Sequence, residues 1–481
     1  MPVAERDPFG VEKRDVAFET GRAVLNDASP ASEPAPTTAT RTSPRPLAVG
    51  AAWAAWRDTA QFLASPVGVL LICMLCLGVY LRFHALGYPP NFQFDEHHFV
   101  ENARNYIHHQ TDQNDHPPLG KLIMAFFMER LGDGPVGWRA AALTSGLLTI
   151  VLGAVAAARL FGRREAGWFA AALFAADGFL ISYSRAALLD GFLATSSVAI
   201  LVACSLPMGA TAALLAGVVT GLAMGIKFSG VGLFLPSLLA VALSPRTLRS
   251  RVFLGAVVIV VGFAVYVASY AYGLSIAGHP AGLPAVAADT SRLLVHHADL
   301  TEMKNPATSG WITWVLPKRP IVLSYNVQAG KARVVTSLGN LAIWWAAMAV
   351  LFSVGAVLLW RGVRWALDRS AAVSSASVAP ADFVVENGRS VLLVLAVATG
   401  YLAPWVLTHR DSYIYHFLPS YTALVLLLSG YVAWARPRRP LSVLVFAAVV
   451  LVVAGIYAPI WSAIPVSPRA LQARLFLESW R

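Results

Sequence analysis

The sequence predicts an all-α polytopic membrane protein, and three observations carry that prediction. Hydrophobic residues fill 57% of its 481 positions and charged residues only 13%. The apolar residues are gathered into runs long enough to cross a bilayer. The basic residues lie in short clusters between those runs, as in loops kept on one side of a membrane. The formal charge of +11 therefore reads as loop charge; no nucleic acid is expected as a partner, and the lipid bilayer is. Cys73, Cys76 and Cys204 fall inside apolar runs and read as small buried apolar residues, despite the C-x-x-C spacing of the first two.

Residues 1–60 are rich in Ala, Pro, Ser and Thr, as in "NDASPASEPAPTTATRTSPRPL". Such a segment cannot bury enough apolar area to fold, so a disordered cytoplasmic tail is expected. It has no apolar h-region, and no cleaved secretory signal is expected. The transmembrane domain, residues 61–461, holds eleven apolar runs, at about 67–83, 138–160, 166–183, 189–206, 210–226, 230–243, 252–272, 338–360, 391–407, 417–434 and 441–460. A short outer tail, 462–481, comes last.

With the N-terminus inside, the clusters "RLFGRRE", "SPRTLRSR", "RGVRWALDR" and "ARPRRP" all face the cytoplasm, as the positive-inside rule requires. Two long segments, 84–137 and 273–337, then lie on the outer face with nine of the eleven histidines, and His409 and His416 fall around a short third outer segment. The first contains "FQFDEHHFVENARNYIHHQTDQNDHPPLGK", residues 92–121, in which five acidic groups and five histidines share thirty positions.

Asp95 and Glu96 come after an apolar run at the depth where the chain leaves the membrane, where a carboxylate is partly desolvated and its proton affinity raised. That suits general-base work. The bland alternative, adjacent acids that merely solvate a loop, loses ground because of the residues C-terminal to the pair. "HPPLGK", which includes His116, sets a rigid Pro-Pro turn ahead of an apolar stretch, with Lys121 where a helix begins. Arg139 opens the next run, and Arg185 and Asp190 in "SRAALLD" lie where the third run meets the fourth. Cations at membrane depth call for an anion, and a phosphate-bearing lipid supplies one.

The order "FDE", "HPPLGK", "GWR", "SRAALLD", "WITWVLPKRPIVLSY", "SLGNLAIWW" and "HRDSYIYHFLPSY", spread from Phe94 to Tyr421, resembles the protein O-mannosyltransferase family. The resemblance implies a GT-C type glycosyltransferase that moves a mannosyl unit from a polyprenyl-phosphate carrier to Ser or Thr hydroxyls of exported polypeptides, with no cofactor and in association with the protein export machinery. The segment 273–337 is too short for the MIR domain of eukaryotic members, so the compact bacterial type is implied, in the cell membrane with its site on the extracytoplasmic face. Carried over by motif, Asp95 is the base and Glu96 its neighbour, holding geometry or binding acceptor backbone. Arg139, with Lys121 and Arg185, balances the donor phosphate. Arg319 in "LPKRP", and His409 with Arg410, are second contributors on physical grounds alone. "WITW" holds Trp311 and Trp314, either of which could stack on a sugar.

The residue types fit that chemistry. Attack of a hydroxyl on an anomeric carbon needs a base, while a phosphate leaving group needs positive charge and no proton donor. One acting carboxylate implies single displacement with inversion. A related reading keeps the donor and glycosylates a lipid or glycan. Two other classes compete. The pairs His97–His98 and His108–His109, near Asp95, Glu96, Asp112 and Asp115, could ligate a divalent metal in a membrane hydrolase or a metal-assisted transferase; against this, adjacent histidines rarely reach one ion and no H-E-x-x-H pattern occurs, so no metal is expected. A transporter would place its ionisable groups near the midplane and show an internal repeat.

Overall fold

In a computed structural model of the protein, the described residues are 47–112, 115–299, 307–367, 379–408 and 411–480. Residues 1–54 and 55–481 form two separate units, and the architecture is described for the second. Most of the expected tail, 1–46, lies outside the described residues, but helix α1 (Leu47–Ala64) already runs through its last part. The Ala-rich "AAWAAW" has the helix propensity to do so.

All eleven apolar runs are helical. They correspond to α2 (Pro66–Phe83), α5 (Pro135–Leu160), the pair α6 (Arg164–Ala176) and α7 (Gly178–Tyr183), α8 (Asp190–Ser205), α9 (Ala210–Ile226), α10 (Phe234–Ala242) with a 3-10 turn before it, α11 (Leu248–Ile276), α13 (Leu341–Leu367), α14 (Ala379–Leu407), α15 (Leu418–Ala435) and α16 (Pro440–Trp461). Seven of these segments are individually long and apolar enough to cross a membrane; α8, α9 and residues 228–242 are shorter. The third run breaks at Asp177, whose carboxylate accepts the N–H of Leu180 and so starts α7. The same carboxylate accepts the Asn340 N–H and the Tyr421 hydroxyl, tying α7 to α13 and α15. Every residue of α15 except Tyr431 is buried, so the bundle is built around this helix.

The two ends of the bundle differ in chemistry. At one end the basic loops meet: Arg436 faces Glu165, Arg438 pairs with Glu386, and Arg389 donates to the Cys204 carbonyl. The opposite end carries α3 (Glu96–Ile107) and α4 (Leu119–Leu131), both inside segment 84–137, and α12 (Leu283–Asp299) inside segment 273–337. In α3 the buried residues Glu96, Val100 and Ala103 recur at helical spacing on one face. The helix α4 starts directly after Pro117–Pro118, as the motif predicts. A last short helix, α17 (Pro468–Arg474), comes after α16.

One element departs from an all-helical reading. Residues Val322–Gln328 (β1) and Lys331–Thr336 (β2) form an antiparallel hairpin. Its two-residue connection, Ala329–Gly330, has positive φ at both positions, 51° and 72°, the backbone that matches the twist of paired strands. Ala332 of β2 also exchanges both backbone hydrogen bonds with Val466, pinning the hairpin to the segment after α16.

Candidate active site

The acidic pair of "FDE" is divided between two roles. Phe94 has φ of 43°, an uncommon left-handed conformation for a bulky residue, and it turns the chain abruptly into α3. Asp95 then occupies the N-cap position without making a capping bond, and its carboxylate makes no side-chain hydrogen bond or ion pair among the described residues. Burial raises its proton affinity above the usual carboxylate range; His98, Lys227 and His97 oppose the rise, and Asp190 adds to it. Glu96 is the reverse case. It is fully buried, and its oxygens accept the N–H of Gln93 and of Ala187 and two N–H groups of Arg139, at 2.8 to 2.9 Å. One acid is fixed by four donors while its neighbour stays unbonded.

That fixation changes the reading of three cations expected to face a donor phosphate. Arg139 has all five of its N–H groups occupied: two on Glu96, and three on the carbonyls of Leu86, Pro89 and Asn91. Arg185 is buried with its terminal nitrogens on the carbonyls of Leu81, Arg82, His84, Ala85 and Ser462, where it closes the C-terminal end of α2. Lys121 is buried and donates to Asp112 at 2.6 Å and to the His116 carbonyl at 2.9 Å. The sequence reveals that these charges need anions or carbonyls; it does not reveal that the protein supplies them itself.

A cation that acts electrostatically on Asp95 is Lys227, at the C-terminal end of α9, a residue absent from the motifs that point to the site. It pairs with both oxygens of Asp190 at 2.9 and 2.8 Å and lies 5.4 Å from the centroid of the Tyr415 ring. Tyr183, at the end of α7, packs 6.4 Å from Tyr415 and interacts electrostatically with Asp190 and Asp95. Asp95, Tyr183, Asp190, Lys227 and Tyr415 thus converge from five segments at one end of the bundle. A lone lysine closing the apolar run "LLAGVVTGLAMGIK" was the available signal, since such a lysine needs an anion.

The remaining candidates are scattered. The His116 ring stacks between Phe99 and His297. Trp314 is buried, its indole N–H on Ser309 and its ring packed on His416 and Phe417, so its faces are filled by protein; Trp311 is exposed. Arg319 is exposed and donates to the Thr308 carbonyl. His409 and Arg410 lie outside the described residues. The pairs His97–His98 and His108–His109 stand at opposite ends of α3, roughly 16 Å apart by helical rise, too far to share one ion.

Two cavities have wall residues close in sequence to the cluster. An open one of about 890 Å³ lies between segment 84–137 and α12, with His98, Tyr106, Asp112, Tyr270, Asp289 and His296 in its wall. A second, of about 320 Å³, is almost wholly apolar and is formed by α4, α5, α8 and α9, with Leu119, Phe127, Leu148, Phe192, Leu222 and Ile226 among its lining residues. Ile226 immediately precedes Lys227 and Phe192 is two residues from Asp190, so the wall of this groove and the lysine–aspartate pair are carried by the same two helices.

A helical membrane bundle with an ionisable cluster at one end fits the architecture of a GT-C type glycosyltransferase. Sequence models described as "Dolichyl-phosphate-mannose-protein mannosyltransferase" match residues 72–136 and 115–270, and one described as "C-terminal four TMM region of protein-O-mannosyltransferase" matches 290–480. The polyprenol-phosphate-mannose–protein mannosyltransferase of Mycobacterium tuberculosis is 26% identical over 477 residues, covering 81% of this chain and 86% of that one. The solved Saccharomyces cerevisiae protein O-mannosyltransferase Pmt1-Pmt2 complex bound to the sugar donor aligns with a TM-score of 0.74 at 14% identity, over 87% of this chain and 93% of that one. ArnT from Cupriavidus metallidurans bound to undecaprenyl phosphate aligns with a TM-score of 0.52 at 17% identity, over 82% and 65%. The chain belongs to the protein O-mannosyltransferase family.

Proposed function

We propose that this protein transfers a mannosyl unit from a polyprenyl-phosphate carrier to Ser or Thr hydroxyls of exported polypeptides, by a single inverting displacement with Asp95 as base. The observation that carries the mechanism is the contrast within the acidic pair: Glu96 is held by four donors and Asp95 by none. A partly buried, unbonded carboxylate of raised proton affinity is the group in this cluster able to take a proton. The acceptor oxygen bonds to the anomeric carbon while its proton passes to Asp95. The bond from that carbon to the phosphate oxygen breaks, and the electron pair leaves on the phosphate. Asp190 is tied to Lys227 through both oxygens, which disfavours a second carboxylate as nucleophile and supports inversion.

Lys227, with one of its three protons left over from the Asp190 pair among the described residues, takes the place first given to Arg139, Lys121 and Arg185 as the cation that meets the leaving phosphate. The apolar groove that Ile226 helps to line suits the first isoprene units of the carrier, entering from the side. The acceptor reaches Asp95 through the larger cavity beside α12. The basic loops at the other end of the bundle, read by the positive-inside rule, support a site on the extracytoplasmic face of the cell membrane with the N-terminus inside. An acceptor delivered there unfolded arrives by way of the export machinery.

The direct test supplies purified protein with polyprenyl-phosphate mannose and a Ser/Thr/Pro-rich peptide. The expected product is the peptide heavier by one hexose, with the anomeric configuration opposite to that of the donor. Transfer only to a lipid or glycan hydroxyl would leave the donor reading intact and remove the polypeptide acceptor. For the cation, Lys227→Gln is expected to raise the donor's KM about tenfold or more, and Lys227→Arg to retain more activity, since it keeps the charge. An unchanged donor KM in Lys227→Gln would take this lysine out of the phosphate site.

A further inference from the structure

The cluster contains a hydroxyl that the proposed displacement does not use. Tyr183 is 1% exposed, and its phenolic oxygen has no hydrogen-bond partner among the described residues. A buried hydroxyl without a partner is costly, and native proteins rarely leave one so unless something else completes it. Nothing about the position is loose. Asp177 caps the short helix that carries it, Phe179 meets the ring edge-on at 5.4 Å, the adjacent Ser182 hydroxyl is fixed on the Thr336 carbonyl, and Arg185, two residues on, is fastened to the end of α2. The ring that carries the orphan oxygen is therefore held 6.4 Å from that of Tyr415, whose ring lies 5.4 Å from the Lys227 ammonium, close to where the transferred sugar sits if Lys227 meets the phosphate.

We propose that the Tyr183 hydroxyl is a specificity-determining contact for the transferred sugar, donating its O–H to one ring hydroxyl of the hexosyl donor. The inference rests on the glycosyl-transfer reading and deepens it. A site built around a fixed donor discriminates strongly against a sugar that lacks the matching hydroxyl, because the tyrosine is then left unsatisfied in the complex. The apoprotein carries the opposite signature: removing an oxygen that bonds to nothing leaves the empty fold at least as stable.

The test compares wild type with Tyr183→Phe on polyprenyl-phosphate mannose and its 2-, 3-, 4- and 6-deoxy analogues, reading donor binding and transfer separately. For wild type, one deoxy analogue is expected to fall about tenfold or more in kcat/KM and in affinity. In Tyr183→Phe the natural donor should fall by a similar factor, and the discrimination against that one analogue should vanish. The ligand-free Tm should be unchanged or higher. Discrimination that survives in the phenylalanine variant, a wild type indifferent to all four analogues, or a lowered ligand-free Tm each overturns the proposal. A wild type that transfers to no acceptor removes the transferase reading instead, and the comparison of donor affinities still decides the role of Tyr183.

Discussion

Asp95→Asn is expected to lower turnover by about 10²- to 10⁴-fold while leaving donor affinity nearly unchanged, because the substitution keeps the shape of the side chain and removes only the basic oxygen. The environment of this carboxylate supplies two further readouts. Burial raises its proton affinity, so the acid limb of the wild-type kcat/KM profile should lie above the ordinary carboxylate range, and Asp95→Asn should lack it. For stability the sign is the reverse of the usual acidic residue. A raised folded-state pKa means that the native protein binds the proton more tightly than the unfolded chain does. The group's stabilising contribution is thus full below the unfolded pKa and lost as pH rises through the folded one. Asp95→Asn should accordingly be more thermostable than wild type at neutral pH, with the gain shrinking toward acid. A variant that is inactive and also less stable at neutral pH would mean that Asp95 supports the fold, and the base would have to be sought elsewhere.

Arg139→Ala should be the most destabilising single change at the site. The arginine and Glu96 are both fully buried and doubly bonded, and removing one partner of such a pair leaves the other charged and unsolvated, at a cost of about 3 to 5 kcal/mol. Three loop carbonyls lose their donors as well. Arg139→Lys keeps the charge but cannot reach five acceptors with three protons, so it should fall between alanine and wild type in Tm. Donor affinity per folded molecule should be nearly the same in all three. A stable Arg139→Ala protein that has lost the donor would restore the phosphate role that the sequence suggests for this residue.

These two residues also mark how far the sequence can be read. Eleven apolar runs and eleven helical segments agree because membrane-length hydrophobicity is a local signal that neighbours do not override. The start of α4 after Pro117–Pro118 is equally local. The hairpin is harder to see inside a loop, although "VLSYNVQAGKARVVT" carries alternating apolar residues around a two-residue turn. Partner choice is not local at all. Arg139 and Glu96 are 43 positions apart, Arg185 reaches carbonyls about a hundred positions back, and Lys227 and Asp190 are separated by 37. A buried cation in a sequence announces only that it needs negative charge; whether a ligand or the chain itself provides it is settled by the packing.

The apolar groove between α4, α5, α8 and α9 has a kinetic meaning if it receives the carrier lipid. A donor that arrives sideways is already confined to a sheet about 30 Å thick in its hydrocarbon part, and confinement raises its local concentration as a tether does. The relevant quantity is then the number of carrier molecules per lipid, and bulk concentration drops out. Diluting the proteoliposomes would leave the reaction velocity per enzyme unchanged, whereas adding plain lipid to the same vesicles would slow it. Affinity for the isoprenoid chain need only be modest under such conditions, leaving the few polar contacts around Lys227 and Asp95 to decide which head group is turned over.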